Sequence, residues 1–266
     1  MYGTAWKEER TEALTRAALG AGFRAIDTAN QRRHYVEASV GNAVRAAIAA
    51  GELTRGEVFL QTKFTHLGGQ DHRLPYDPKA DLATQVRQSF ESSLEHLHTT
   101  YIDSYVLHGP SSRSGLPASD WVVWRAMEEL QRAGTARLIG VSNVSLAQLA
   151  GLHADAAVKP AIVQNRCFAS TGWDRDVRAF CAAHDITYQG FSLLTANADV
   201  VRSSLVGRIA ARVGGSPAAV IFRFAIQAGM LPLTGATNPE HLRDDLACFD
   251  FELSAGEVIS LEQLAG

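Results

Sequence analysis

The chain has 266 residues, 46% of them hydrophobic, and a formal net charge of −3. This length and apolar content suffice for a sizeable core, and we expect residues 1–266 to form a single domain. The mild negative charge, without a basic tract, argues against nucleic acid and anionic membranes as partners. No apolar stretch reaches the roughly 20 residues that a membrane-spanning helix needs.

The cysteines indicate a reducing compartment. Cys167, Cys181 and Cys248 are odd in number and scattered, which argues against a disulfide framework and a zinc site. The N-terminal sequence lacks the cationic and apolar regions of a signal peptide. We therefore expect a cytoplasmic protein without a metal site.

Strand-like and helix-like segments alternate along the chain. The strand-like runs, rich in β-branched and aromatic residues, are MYGTA, FRAIDT, VFLQTKF, IDSYVLH, ARLIGVSN, AIVQNRC, ITYQGFSLL and MLPLTG. Segments with helical periodicity follow these runs at 7–19, 36–50, 81–97, 121–132, 146–154, 174–183, 200–213 with 217–228, and 239–247. Eight such units predict a parallel sheet closed into a (β/α)8 barrel. The alternative, an open doubly wound sheet, usually carries GxGxxG after its first strand, and that motif is absent.

Ionisable residues end three consecutive strand-like runs. Asp27 ends the second run, Lys63 the third and His108 the fourth, and Tyr35 lies in the loop after the second. The C-terminal ends of barrel strands converge on one face, so these four side chains are expected to share one site. Taken singly, each of these residues has an ordinary structural explanation. Their occurrence together at the ends of neighbouring strands favours a proton-transfer site.

The four groups suit protonation of an oxygen that receives negative charge when a hydride arrives at the adjoining carbon. A free tyrosine, with a pKa of about 10, is a weak acid at neutral pH. We expect the Lys63 ammonium to lower the pKa of Tyr35 and the Asp27 carboxylate to keep Lys63 charged and in place. His108 can orient a carbonyl oxygen or help Tyr35 donate its proton.

At these residues the chain resembles the aldo-keto reductase family, over nearly its whole length. The similar segments are YGTAW, GFRAIDTAN, VFLQTKF, YIDSYVLHGP, IGVSNVSLAQL, VQNRC, GFSLL and LPLTGATNPEHLRDDL. The resemblance implies a (β/α)8 barrel that reduces aldehydes and ketones with NADPH, sometimes NADH. It places the family's catalytic tetrad on Asp27, Tyr35, Lys63 and His108.

The resemblance also implies a cofactor groove. Gly3, Thr4 and Asp27 would flank the nicotinamide and its ribose, and Ser142, Asn143 and Gln164 would hold the carboxamide. Phe191 stands where the family usually has a tyrosine stacked on the nicotinamide, and Ser192 and Leu194 would follow along the pyrophosphate. The remaining expected cofactor contacts are Leu233, Thr234 and His241.

Three features depart from the family pattern. Tyr35 comes eight residues after Asp27, in a longer loop than is common, and position 32 is an arginine. Leu233 and His241 stand where the family often has the lysine and arginine that bind the 2′-phosphate, so NADH is a possible alternative to NADPH. Thr65 replaces a common aromatic wall, which predicts an open substrate pocket lined by Trp6, Tyr35, Thr65 and His108.

The leading hypothesis is therefore an NAD(P)H-dependent oxidoreductase that reduces small carbonyl compounds, with Tyr35 as general acid. One alternative is a nicotinamide-binding regulatory subunit with little turnover. The other is an enzyme that uses Lys63 as a Schiff-base nucleophile, which requires a lysine not paired with Asp27. We expect a small-molecule substrate, no nucleic acid or membrane partner, and a monomer or small homo-oligomer.

Overall fold

A computed structural model describes residues 1–264 and contains all eight predicted strands. The strands are β1 (Tyr2–Gly3), β2 (Ala25–Asp27), β3 (Phe59–Phe64), β4 (Ile102–Leu107), β5 (Ala136–Ser142), β6 (Ile162–Arg166), β7 (Thr187–Phe191) and β8 (Met230–Pro232). The helices are α1 (Thr11–Ala21), α2 (Glu37–Ala49), α3 (Leu82–His96), α4 (Ala118–Arg132), α5 (Leu146–Asp155), α6 (Arg175–Ala183), α7 (Ala198–Val201), α8 (Ser204–Val213), α9 (Pro217–Gln227), α10 (Pro239–Leu246) and α11 (Ala255–Gln263).

Helix boundaries follow local sequence signals. Ser145 forms a capping box with Gln148 at the start of α5, and Asn238 accepts a hydrogen bond from the Glu240 amide at the start of α10. The first helix differs from its prediction, because residues 8–10 form a 3₁₀ turn and α1 begins only at Thr11. Trp6 and Glu8 have φ angles of 62° and 47°, and these left-handed residues turn the chain before a helix can form.

The chain divides into two compact units, Met1–Val163 and Gln164–Gly266. The expectation of a single domain stays a prediction. In the first unit, β1 to β5 pair in parallel and in chain order. The register sets Asp27 opposite Gln61 and Lys63 opposite Val106, and the His108 amide donates to the Phe64 carbonyl at 2.9 Å. This pairing carries the three polar strand ends to one edge of the sheet.

In the second unit, β7 and β8 pair in parallel, and the Cys167 amide donates to the Phe191 carbonyl at 3.0 Å. Asn197 is buried behind the ends of β6 and β7. Its side-chain amide donates to the carbonyls of Cys167 and Leu193, and its Oδ1 accepts from the Ala169 amide. One side chain therefore fixes the loops that follow both strands.

A single helix that is long and apolar enough to cross a bilayer is not found in residues 1–264. Helices α8 and α9 together have a suitable length and composition, but the two helices are bent by 91° relative to each other.

Candidate active site

Lys63 and Asp27 form a buried ion pair at the ends of β3 and β2. The Lys63 Nζ lies 2.7 Å from Asp27 Oδ1 and donates to the Thr28 carbonyl at 2.8 Å. The Lys63 side chain is 0% exposed and that of Asp27 is 4% exposed. Gln61 donates from Nε2 to the same Asp27 oxygen at 2.8 Å. Both Gln61 and Lys63 face Asp27 because strand side chains alternate with a period of two.

Tyr35 and His108 lie beside this pair. The Lys63 Nζ is 5.2 Å from the centroid of the Tyr35 ring, and the ring centroids of Tyr35 and His108 are 5.9 Å apart, edge to face. Both residues are partly exposed. The structure therefore brings together all four predicted residues: an acid, an ammonium, a phenol and an imidazole.

The long loop after β2 is anchored to the loop after β3. Gln31 accepts a hydrogen bond from the Tyr35 amide through its carbonyl, and its side-chain amide donates to the Gly69 carbonyl at 2.7 Å. Gln70 donates to the Asn30 carbonyl at 3.0 Å. Arg32 instead pairs with Glu8, 3.2 Å away, on the exposed rim. The extra residues thus form an anchored turn that sets Tyr35, and not Arg32, beside Lys63.

The pKa of Tyr35 is raised, which is opposite to the net lowering expected from the sequence. Burial raises the pKa of the Tyr35 phenol, and the Asp27 charge raises it further. Burial also lowers the pKa of Lys63, although the charge and hydrogen bond of Asp27 oppose that shift. The sequence showed which groups meet but not the depth at which they lie. At neutral pH Tyr35 therefore keeps the proton that an acid must hold.

Burial, followed by the charges of Lys63 and His34, lowers the pKa of His108 to about 3. The imidazole is therefore neutral at physiological pH. Its Nδ1 lies 2.7 Å from the Thr65 hydroxyl, and the Asn143 amide donates to the His108 carbonyl at 2.8 Å. The sequence pattern assigns Thr65 to the pocket wall and gives no sign of its contact with His108.

The depressed pKa of His108 predicts a pH-dependent contribution to stability. An unfolded histidine titrates near pH 6.5, so between about pH 6.5 and pH 3 only the unfolded chain binds this proton. The contribution of His108 to the free energy of unfolding is therefore fully present above that pH window and is lost as the pH falls through it. We expect the free energy of unfolding of wild type, minus that of His108→Gln, to be smaller at about pH 4.5 than at pH 7 in urea titrations. Equal differences at both pH values would show that His108 titrates normally.

The other predicted residues of the first unit lie around the tetrad. Gly3 and Thr4 adjoin β2, where the Thr4 hydroxyl donates to the Asp27 carbonyl at 2.9 Å. Ser142 is buried at the end of β5, and Asn143 is exposed with a φ of 54°. Trp6 is 70% exposed, and its ring contacts that of His34 with centroids 3.9 Å apart and the ring planes tilted by 37°.

In the second unit, Phe191 ends β7 with a half-buried ring, and Ser192 follows with a φ of 59°. Leu194 is half-buried, and Gln164 is buried on β6, where its Nε2 donates to Gln189 at 3.0 Å. The guanidinium of exposed Arg166 lies 5.6 Å from the Phe191 ring centroid.

The segment after β8 carries no lysine or arginine at its first positions. Leu233 is buried, and the Thr234 hydroxyl donates to Asp245 at 2.5 Å. Burial raises the pKa of Asp245 to about 6. His241 and Arg243 are both exposed on α10. Leu233 and Thr234 thus offer no cation to a 2′-phosphate.

Comparisons with known proteins agree with this geometry. The family model described as aldo/keto reductase family matches residues 2–265. The chain is 29% identical to the methylglyoxal reductase DkgA of Salmonella typhimurium, over 97% of this chain and 87% of that protein. It is 30% identical to an aldo-keto reductase of Mycolicibacterium vanbaalenii, over 97% of this chain and 84% of that protein.

Among solved structures, an aldo/keto reductase from Brucella melitensis matches with a TM-score of 0.83 and 26% identity, covering 99% of this chain and 92% of that one. This likeness confirms the predicted (β/α)8 barrel class. The chain belongs to the aldo/keto reductase family, and it is a nicotinamide-dependent oxidoreductase that reduces aldehydes or ketones to alcohols.

Proposed function

We propose that Asp27, Tyr35, Lys63 and His108 carry out the reduction of a small carbonyl substrate, with Tyr35 as the general acid. The observation that carries this proposal is the buried Lys63–Asp27 pair, 2.7 Å apart, beside the rings of Tyr35 and His108, whose centroids are 5.9 Å apart. The reduced nicotinamide that the family uses would supply the hydride. Tyr35 gives its proton to the carbonyl oxygen as negative charge develops there.

The raised pKa of Tyr35 is compatible with this role. An alkoxide is a stronger base than a phenolate, so the oxygen takes the proton from Tyr35 as its negative charge develops. Lys63 stands close enough to stabilise the phenolate that is left, because its ammonium is 5.2 Å from the ring centroid. Asp27 fixes Lys63 and keeps it from moving toward the substrate.

The alternative functions fit these contacts less well. A Schiff-base lysine needs a free, neutral amine, whereas Lys63 is fully buried and bonded to Asp27 and the Thr28 carbonyl. A regulatory subunit has no need for four ionisable groups held at one sheet edge.

We infer that, within the first unit, Gly3, Thr4, Ser142 and Asn143 contact the cofactor. For the second unit, the family resemblance assigns cofactor contacts to Gln164, Phe191, Ser192, Leu194, Leu233, Thr234 and His241. NADPH is expected from the family resemblance. The Thr234–Asp245 pair favours NADH, because a buried carboxylate behind the threonine repels a phosphate but tolerates a ribose hydroxyl.

The substrate would enter between Tyr35 and His108, with Trp6 and Thr65 contributing to the pocket. The relatives' names point to small carbonyl compounds such as methylglyoxal. We further propose a cytoplasmic location, which the three free, buried cysteines support. A small-molecule partner and a monomer or small homo-oligomer are consistent with these contacts.

The decisive test follows loss of absorbance from NADPH and from NADH with a panel of aldehydes and ketones, methylglyoxal included. We expect turnover with at least one carbonyl. Titration of the protein with each oxidised cofactor, followed by tryptophan fluorescence, measures cofactor preference independently of turnover. Cofactor binding without turnover on any carbonyl would contradict the reductase assignment and favour the regulatory one.

A further inference from the structure

Thr65 and His108 occupy equivalent places on neighbouring strands. Thr65 directly follows β3 and His108 directly follows β4, and the His108 amide donates to the Phe64 carbonyl. The two side chains meet at 2.7 Å, hydroxyl to Nδ1. Thr65 stands where the family commonly has an aromatic residue, so its contact with His108 is a feature of this chain.

The orientation of the Thr65 side chain is fixed by its surroundings. The residue is 5% exposed, and its carbonyl accepts from the Tyr76 hydroxyl at 2.8 Å and from Gln70 at 3.4 Å. A Cβ placed on Gly69 would lie 2.7 Å from the Thr65 methyl group, so that methyl packs directly over the glycine. With the methyl held there, the hydroxyl points at His108.

The hydroxyl selects one imidazole tautomer. A neutral imidazole has one N–H donor and one acceptor nitrogen, and a threonine hydroxyl has a single proton to donate. Within residues 1–264, the Thr65 hydroxyl has no hydrogen-bond partner besides His108 Nδ1. If Nδ1 carried the proton, the buried hydroxyl would accept it and leave its own hydrogen without an acceptor. The favourable arrangement has Thr65 donating to Nδ1 and the imidazole proton on Nε2.

We propose that Thr65 is a positioning residue that holds His108 as the Nε2–H tautomer, so that the imidazole donates a hydrogen bond to the substrate's carbonyl oxygen. This inference rests on the proposed function, because it assigns His108 a donor role in that reaction. The carbonyl oxygen then receives two hydrogen bonds, one from Tyr35 and one from His108. The opposite tautomer would present a lone pair to an oxygen that is gaining negative charge.

The test compares Thr65→Val, which replaces the hydroxyl with a methyl of similar size, with Thr65→Ser, which keeps the hydroxyl. Histidine side-chain ¹⁵N–¹H correlation spectra of the ligand-free protein at about pH 7 report the tautomer, and His108→Gln assigns the signal. We expect Nε2–H in wild type and Thr65→Ser, and loss of that preference in Thr65→Val. Donors to a developing oxyanion are worth about 10²–10³ in kcat, so we expect kcat to fall about 10-fold or more in Thr65→Val, with Thr65→Ser near wild type.

The readouts separate the possible failures. An Nδ1–H signal in wild type, or an unchanged Nε2–H signal in Thr65→Val, would overturn the proposal whatever the activity. Unfolding curves of the two variants show whether loss of packing explains a change in kcat. A correct tautomer response in a protein that turns over no carbonyl would leave the Thr65–His108 coupling intact and overturn the proposed function alone.

Discussion

Replacement of Tyr35 by phenylalanine is expected to lower kcat for carbonyl reduction by about 10²–10⁴-fold, the usual contribution of a general acid. The phenylalanine ring keeps the packing against His108 and the position over the Lys63 ammonium, and only the proton donor is removed. The affinity for the oxidised cofactor, measured by tryptophan fluorescence, should stay within about 3-fold of wild type, because the hydroxyl is assigned to the substrate oxygen and not to the cofactor.

Tyr101→Phe is a matched control for this experiment. It removes a tyrosine hydroxyl just before β4, where the guanidinium groups of Arg55 and Arg137 lie 4.0 and 3.8 Å from the ring centroid. Tyr101→Phe should leave kcat unchanged. Full activity in Tyr35→Phe would mean that another group, such as His34 in the same loop, supplies the proton.

The pattern that predicted the site is the one that builds the fold. Parallel strands that alternate with helical segments are expected to place their polar ends on one edge, and Asp27, Lys63 and His108 lie together because the register of β2, β3 and β4 carries them there. Sequence reasoning also selected Tyr35 in a loop of unusual length. In the structure, Gln31 anchors the turn of that loop, and this anchored turn places Tyr35 beside Lys63.

The details that the sequence could not supply are those that depend on burial and on side-chain direction. The pKa of Tyr35 is raised and not lowered, because burial and the Asp27 charge, which the sequence does not show, set its direction. The Gln61–Asp27 hydrogen bond was detectable in principle, because Gln61 and Lys63 share one face of β3. The Thr65–His108 contact was not detectable from the sequence, because it depends on the packing of the Thr65 methyl group over Gly69.

Removal of one partner from the Lys63–Asp27 pair is expected to destabilise the protein by about 3–5 kcal/mol, because the remaining charge is buried without compensation. Asp27→Asn leaves an ammonium that is 0% exposed and bonded to the Thr28 carbonyl. Lys63→Met leaves a carboxylate that still accepts a hydrogen bond from Gln61, so its cost should be smaller. The double variant, which has neither charge of this pair, should recover part of the loss. Urea unfolding of the four proteins gives the coupling energy directly.

The pH dependence of Asp27→Asn provides a second measurement of the same effect. Burial already lowers the pKa of Lys63, and Asp27 opposes that shift, so its removal should lower the pKa further. A folded-state pKa below the unfolded value means that stability rises as the pH increases through that interval. The loss of stability caused by Asp27→Asn should therefore shrink between about pH 7 and pH 9.

Asp199→Asn, in the exposed pair with Arg202, is the control and should change stability by less than about 0.5 kcal/mol at either pH. Additive costs in the double variant would show that the two charges do not stabilise each other.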